Sequence, residues 1–401
     1  MLRSMTAGLV LAFAGSRANI TRTLLSCAGI VVGVGSLIAV VTAGHVGERY
    51  AVAYSEINFG RAATFQVDLG GVPSDLEAFE SDLRRAGARS VSMTTWVNGL
   101  FLRSGTETVP EPGITLVDAE LGEIRTLEMT RGRWFTEGDQ RSLAPVLVVN
   151  ESLAEVLEGD ARLQIGADRW VDARVVGVLA DSGMDPGWHS AYLLRSPAGE
   201  AILPEPEPGT MSSYSVLVDP ADADPDAYLE RLGSASWRWG LPETDPEWGP
   251  PVSAWRADQA DDFTQIIDYL SLGLLGIAAI TLTTGLLGVL NVGLVTVRER
   301  RRELATYRAL GASSFTLFVA VVTEAVVVSV VAGAIALALC YLLAGVGDVF
   351  AAPHLPSDVS ILVPPEAVLV GLGSAAFVGL LAGVIPAWRA LRASVVAGLR
   401  E

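Results

Sequence analysis

The sequence predicts a membrane protein with four transmembrane α-helices and a large α+β extracytoplasmic domain between the first and second spans. Three observations predict it. Half of the 401 residues are hydrophobic and the mean hydropathy is +0.42, a value soluble domains rarely reach. The apolar residues gather in four membrane-length runs. The polar residues gather in about 220 residues between the first run and the second, enough for one or two packed domains.

Residues 1–23 contain Arg3, Arg17 and Arg22 and no acid. The short apolar run Met5 to Ala14 has the composition of a signal peptide, but Arg17 and Arg22 supply a basic flank for the longer apolar run beyond them. A cytoplasmic helix lying along the membrane surface fits this better. Leu24 to Ala43 is apolar or small and uncharged, and places the first span at 24–45. A spanning helix needs about 20 residues, at a rise of about 1.5 Å each, to cross about 30 Å of hydrocarbon. His45 to Gly60 is expected to continue that helix beyond the membrane.

The outside domain covers 46–262. Thr64 to Leu69 reads as a strand. Ser74-Asp75-Leu76-Glu77 has the form of a capping box and opens a helix to Ala86, which Gly87 ends. Strands are expected near Ser90 to Trp96 and Ile114 to Val117. Arg131 to Asp139 is turn-rich, and Ala144 to Asn150 is a buried strand. Trp170 to Asp181 is a strand pair or one long strand, and Ser196 to Thr210 a Pro-rich loop. Ser213 to Asp219 is a strand and Asp226 to Leu232 a short helix. From about Ala257 a helical pattern runs unbroken into the second span, 263–296. The uncharged part of that span is Leu270 to Val295.

A basic segment at 297–313 leads to the third span, 314–346, which carries a single charge, Glu324. A short outside loop at 347–366 precedes the fourth span, 367–386, whose uncharged run stops at Pro386. A tail at 387–401 completes the sequence.

Charge orients the chain. All 28 basic residues are arginine. Between Val46 and Asp268 there are 17 Arg against 38 acidic residues. The N-terminal segment, the 297–313 segment and the tail are the short basic flanks. With four spans all three fall on one side, which the positive-inside rule makes cytoplasmic, together with both termini. The net charge of −17 then belongs to an outward surface, and the only basic stretches hug the membrane, which excludes nucleic acid as a partner. Anionic membrane lipids remain natural neighbours of those flanks.

Enzyme chemistry finds little support. Without lysine there is no Walker A loop. His45, His189 and His354 have no metal-ligand spacing. No Gly-x-Ser-x-Gly occurs. Cys27 and Cys340 fall in predicted spans, as packing residues rather than a disulfide. The many outside carboxylates read as a solvated surface. The chain is therefore expected to bind no cofactor and no metal.

The basic segment is the densest chemistry: Arg298, Glu299, Arg300, Arg301, Arg302, Glu303, Leu304, Tyr307, Arg308, Leu310 and Gly311. On one ideal helix its arginines scatter around the axis, a poor membrane-surface amphipath. It is either an anchor to the inner leaflet or a docking element. Anchoring needs no acids, so Glu299 and Glu303 favour docking. Gly311 can end its helix, and Ser313 or Ser314 can cap the next.

Glu324 lies nine residues into the third span. A charge near the bilayer centre costs about 2.5–3.5 kcal/mol, so it is expected to be protonated or paired and to face the bundle or the inner leaflet. The sequence offers it no intramembrane basic partner, and a structural hydrogen bond is favoured over a proton relay. Gly29-x-x-x-Gly33 followed by Gly35, and Gly379-x-x-x-Gly383, are spacings that allow close helix approach, within the chain or between protomers. Trp134, Trp237, Trp239, Trp248 and Trp255 are read as core packing plus an aromatic belt rather than a gripping surface.

"VTVRERRRELATYRALGASSFTLFVAVVTEAVVV" resembles the segment joining the second and third spans in the MacB/FtsX-type family of ABC transporter permeases. "RTLLSCAGIVVGVGSLIAVVTAG" resembles that family's first span. "INFGRAATFQVDLGG" and "RGRWFTEGDQRSLAPVLVVNESLA" resemble its outside core domain, and "GLLAGVIPAWRALRASVVAGLRE" its last span and tail. The tail departs from the family's basic, proline-containing pattern at Trp388 and Ser394-Val395. The resemblance implies a bacterial cell-membrane permease that pairs with a second copy or a paralogue. It implies that Arg298 to Gly311 dock into a separate dimeric cytoplasmic ABC ATPase, which holds the ATP and Mg. It implies motion passed to the outside domain, mechanotransmission, for export or extraction of a peptide, antibiotic, lipid or lipoprotein. An extracytoplasmic adaptor fits that reading. The alternative is a force transmitter that transports nothing and regulates an outside partner such as a cell-wall hydrolase.

Overall fold

A computed structural model describes residues 20–69, 73–105, 107–109, 112–157, 162–167, 169–181, 187–204, 212–239, 252–311 and 313–392. The N-terminal segment up to residue 19, Trp248 and the tail from residue 393, with Ser394 and Val395, lie outside the described residues. The chain forms two compact units, Met1–Tyr50 with Thr264–Glu401, and Ala51–Phe263.

Along the chain come α1 (Ile20–Asn58), β1 (Thr64–Leu69), α2 (Leu76–Arg85), β2 (Ala88–Val97), β3 (Phe101–Ser104), β4 (Glu107–Thr108), β5 (Gly113–Val117), α3 (Leu121–Ile124) and β6 (Met129–Gly132). Next are β7 (Val146–Asn150), α4 (Glu151–Leu157), β8 (Leu163–Gly166), β9 (Val171–Asp172), β10 (Arg174–Leu179), β11 (Ser190–Leu194), α5 (Pro197–Glu200), β12 (Ser212–Val218), α6 (Pro225–Gly233) and β13 (Val252–Arg256). The chain continues with α7 (Ala260–Glu299), α8 (Arg301–Ala309), α9 (Ser314–Ala351) and α10 (Pro365–Arg392).

In the second unit the sheet of nine strands has the order β13-β1-β12-β2-β5-β11-β7-β10-β6, with only β5–β11 and β7–β10 parallel. A smaller sheet runs β4-β3-β8-β9. Alternation places the side chains. In β1, Phe65, Val67 and Leu69 enter one core with Phe79, Leu83, Tyr214, Tyr228 and Trp239. In β7 all five residues are buried: Leu147 and Val149 enter a second core, and Val146 and Val148 a third on the opposite face.

The structure corrects some expectations and decides between others. The N-cap of α2 is Asp75, whose Oδ1 accepts from the Ala78 amide at 2.9 Å; Ser74 is turned away, donating to the Trp239 carbonyl. Of the two readings for Trp170 to Asp181, two strands form rather than one, β9 and β10, in different sheets. The Ala173 amide bonds to Leu163 and the next amide, Arg174, to Pro145, so the chain changes sheets between neighbouring residues. Strand β13 was not expected; β1 draws it into the sheet edge through Val67↔Ala254. The tryptophans divide between core and surface. Trp239 is fully buried with its Nε1 donating to Asp82, Trp134 is half-buried, and Trp237 is exposed.

Among the described residues, four helices, α1, α7, α9 and α10, carry segments long and apolar enough to cross a membrane. In the first unit, α1 packs on α7 through Gly29 and Gly33 against Gly285 and Leu282, and on α9 through Gly35 near Ala336. Gly371 of α10 sits on Ile38 of α1, while Gly379 and Gly383 receive Val326 and Val322 of α9. Two boundaries differ from expectation. Helix α10 does not stop at Pro386: the ring packs into the space over Gly293 of α7, and the helix continues to Arg392. An apolar bundle offers no water to reward unwinding, so one missing hydrogen bond is tolerated. Helix α9 passes Gly347 and ends at Ala351, because Asp348 accepts the Ile361 amide at 2.7 Å and ties the shortened loop to the helix.

Candidate functional site

The basic stretch folds as a corner and a short helix, not as one helix. α7 ends at Glu299, Arg300 breaks the geometry at φ −92° and ψ 14°, and α8 begins at Arg301. At the far end Gly311 adopts φ +97°, a left-handed conformation that a residue with a Cβ avoids. Ser313 then caps α9, its hydroxyl accepting from the Thr316 amide at 3.1 Å.

The corner is held by one guanidinium. Arg300 donates through Nε to Glu303 at 2.8 Å and through Nη2 to its other oxygen at 3.1 Å. Its Nη1 lies 3.4 Å from Oε2 of Glu324. The fork geometry raises the Arg300 pKa further, and the same hydrogen bonds hold the Glu303 carboxyl below the usual range. Glu324 is therefore paired, and with a basic residue that lies outside its own span. The partner comes from the turn outside the span, because the corner lays Arg300 alongside α9, and a long arginine stem can reach an apolar depth while its head stays paired.

This division of labour was not visible in the sequence. Arg300 binds both Glu303 and Glu324. Arg298, Glu299 and Arg302 are exposed, as are Tyr307 and, at 79%, Leu310. Arg308 is half-exposed and Ala305 is buried. The side chains of Arg301 and Leu304 lie outside the described residues. What remains outward is a mixed surface: guanidinium groups beside a phenol and an exposed leucine at the end of α8. Water gains little from such a leucine, whereas a protein groove lined with acids and apolar atoms would accept the whole set.

Residues 23–234 match the model of the MacB-like periplasmic core domain, and residues 275–395 that of the FtsX-like permease C-terminal. The chain belongs to the MacB/FtsX family of ABC transporter permeases. This family member is 26% identical over 414 residues to the macrolide export ATP-binding/permease protein MacB 1/2 of Paracoccus denitrificans, covering all of the chain and 59% of that relative. It is 28% identical over 398 residues to the pyoverdine export ATP-binding/permease protein PvdT of Pseudomonas aeruginosa, covering 95% and 56%. The chain thus spans little more than half the length of these relatives. The periplasmic region of MacB from Actinobacillus actinomycetemcomitans aligns with 51% of the chain at 16% identity and a TM-score of 0.36. The extracellular domain of YknZ aligns with 48% at a TM-score of 0.32.

Within this permease the glycines of the first span take a definite place. Gly29 and Gly33 face α7 and Gly35 faces α9. Sequence reasoning found these but missed their partners, Gly285 and Leu282. Gly285 and Gly293 in "TTGLLGVLNVG" were the available signal, a further small-residue spacing on the facing helix.

Proposed function

We propose that this permease converts ATP-driven motion of a separate cytoplasmic ATPase into motion of its outside domain, for export or extraction of a peptide, antibiotic, lipid or lipoprotein. ATP and Mg belong to the ATPase. The ATPase docks on the outward face of α8, through Arg302, Tyr307 and Leu310 with Arg298 beside them. Arg300 acts behind that face, linking α8 to the third span through Glu303 and Glu324. Both termini and α8 lie in the cytoplasm, and a second permease copy or a paralogue completes the transporter.

The observation that carries this reading is the exposed α8 surface, where Arg302, Tyr307 and Leu310 face outward beside Arg298. The export-type names of the relatives favour transport over pure force transmission.

The test is recovery of partners with the tagged chain from native membranes in mild detergent. A P-loop ATPase should come with the wild type and with Arg300→Lys, and be lost from the Arg302→Glu, Leu310→Ala double variant. If no P-loop ATPase is recovered with a chain that stays folded, or if the double variant retains it, the docking face is misassigned.

A further inference from the structure

Far from α8 in sequence, the second unit contains a dense knot of bonds where the chain enters and leaves the sheet. The end of α1 and the start of α7 meet there. Ser55, fully buried on α1, accepts the Gln259 amide on its hydroxyl at 3.0 Å, one residue before α7 begins. Tyr54 packs edge-on against Phe59 and Phe263, with ring centroids 6.2 and 5.8 Å away.

Asp258 is the centre of the knot. Its side chain is 3% exposed. One oxygen, Oδ2, accepts the Ala63 amide at 3.0 Å, across 195 residues of sequence. Arg256 clamps both oxygens at 2.8 Å and reaches on to Asp261 in the first turn of α7. Ala63 has φ +67°, the only described non-glycine residue with a positive φ, and is 1% exposed. A left-handed alanine persists only when its surroundings over-determine it. Here the carboxylate of Asp258 holds its N–H, and its carbonyl accepts the Val218 amide at 3.1 Å. The Thr64 carbonyl in turn accepts the Ala257 amide at 2.8 Å. α3 is tied in too, since Thr126 and Arg61 donate their amides to the carbonyls of Glu56 and Ile124.

We propose that Asp258 is a positioning residue that fastens the two chain crossings, α1 and α7, to each other and to the β1/β13 edge, so that they drive the sheet as one lever. Two flexible linkers would let each helix shift without turning the sheet. A single buried carboxylate that ties Ala63, just past α1, to Arg256, which itself reaches Asp261 of α7, removes that slack. The purpose of the lever rests on the force-coupling function proposed above; its existence does not, and is tested on the chain alone without ATPase.

The experiment uses the full chain in nanodiscs. Spin labels at Val52 on α1 and Asp262 on α7, both exposed positions, report the separation of the crossings. Hydrogen exchange reports the amides around Ala63. In the wild type the distance distribution is narrow. In Asp258→Asn it broadens, and exchange across residues 59–64 accelerates about ten-fold or more, although the substitution lies in the other crossing. Exchange in β7 stays unchanged. Should Asp258→Asn fail to fold, Arg256→Gln removes the clamp from the surface side and gives the same two changes at smaller size. A narrow distribution and unchanged exchange in a folded variant overturn the proposal, as does acceleration confined to residues 252–262. An ATPase pull-down that fails leaves this result intact, so the two readings are separable.

Discussion

Replacing Gly33 by alanine tests the packing of the first span directly. An ideal Cβ at Gly33 lies 2.7 Å from the Leu282 Cα and 3.1 Å from its amide nitrogen, both backbone atoms that cannot swing aside. Carbon atoms sit comfortably at about 3.5–4.0 Å, so α1 and α7 must part by about 1 Å. The separation strains the contact at Gly29, whose own Cβ position is 3.2 Å from the Gly285 Cα, and the Ser36–Thr281 hydroxyl bond of 3.2 Å. Overpacking of this kind costs about 1–3 kcal/mol. Against it stands the gain from removing a helical glycine, about 0.5–1 kcal/mol, which is common to every Gly→Ala change on α1. Gly35→Ala is the control, because its Cβ meets the Ala336 Cβ at an ordinary 3.9 Å. Reversible unfolding in mixed SDS micelles, followed by far-UV circular dichroism, should rank Gly35→Ala at or above wild type, Gly29→Ala below it and Gly33→Ala lowest. If Gly33→Ala is as stable as Gly35→Ala, the face of α1 turned toward α7 has been misassigned.

Gly311→Ala forces a Cβ into a left-handed turn at φ +97° and should lower stability by about 1–2 kcal/mol; Gly345→Ala, in open space within α9, should not, by the same unfolding assay. Asp139 gives a pH prediction: the Arg133 guanidinium, with the Thr136 amide and hydroxyl, holds its carboxyl well below the usual range. A depressed folded pKa contributes stability that is complete above the ordinary aspartate value of about 3.9 and is lost as pH falls through the folded one. Asp139→Asn should therefore lower stability by about 1 kcal/mol at pH 7, with the ion-pair share small because Arg133 is half in solvent, and should flatten the acid side of a thermal-unfolding pH profile. A variant whose profile parallels wild type below pH 4 would refute it.

The sequence by itself determined the features that depend on neighbours within a turn or two. Four apolar runs are sums over consecutive residues, so the spans are legible without a fold. The alternation of Thr64–Leu69 and the apolar run of Val146–Asn150 announce their strands, and Gly311 with Ser313 announces where α8 ends and α9 begins. The family resemblance was legible for the same reason, since it rides on contiguous motifs. Only the tertiary structure decided what depends on chain closure. Nothing near Glu324 in sequence names Arg300 as its partner, because the corner at residue 300 supplies the proximity. Nothing near Ala63 names Asp258, which the β1–β13 pairing brings alongside. Pro386 reads locally as a stop, yet packing over Gly293 overrides it. Local propensity is worth about 1 kcal/mol per residue, and a packed bundle or sheet edge outweighs it wherever many contacts converge on one site.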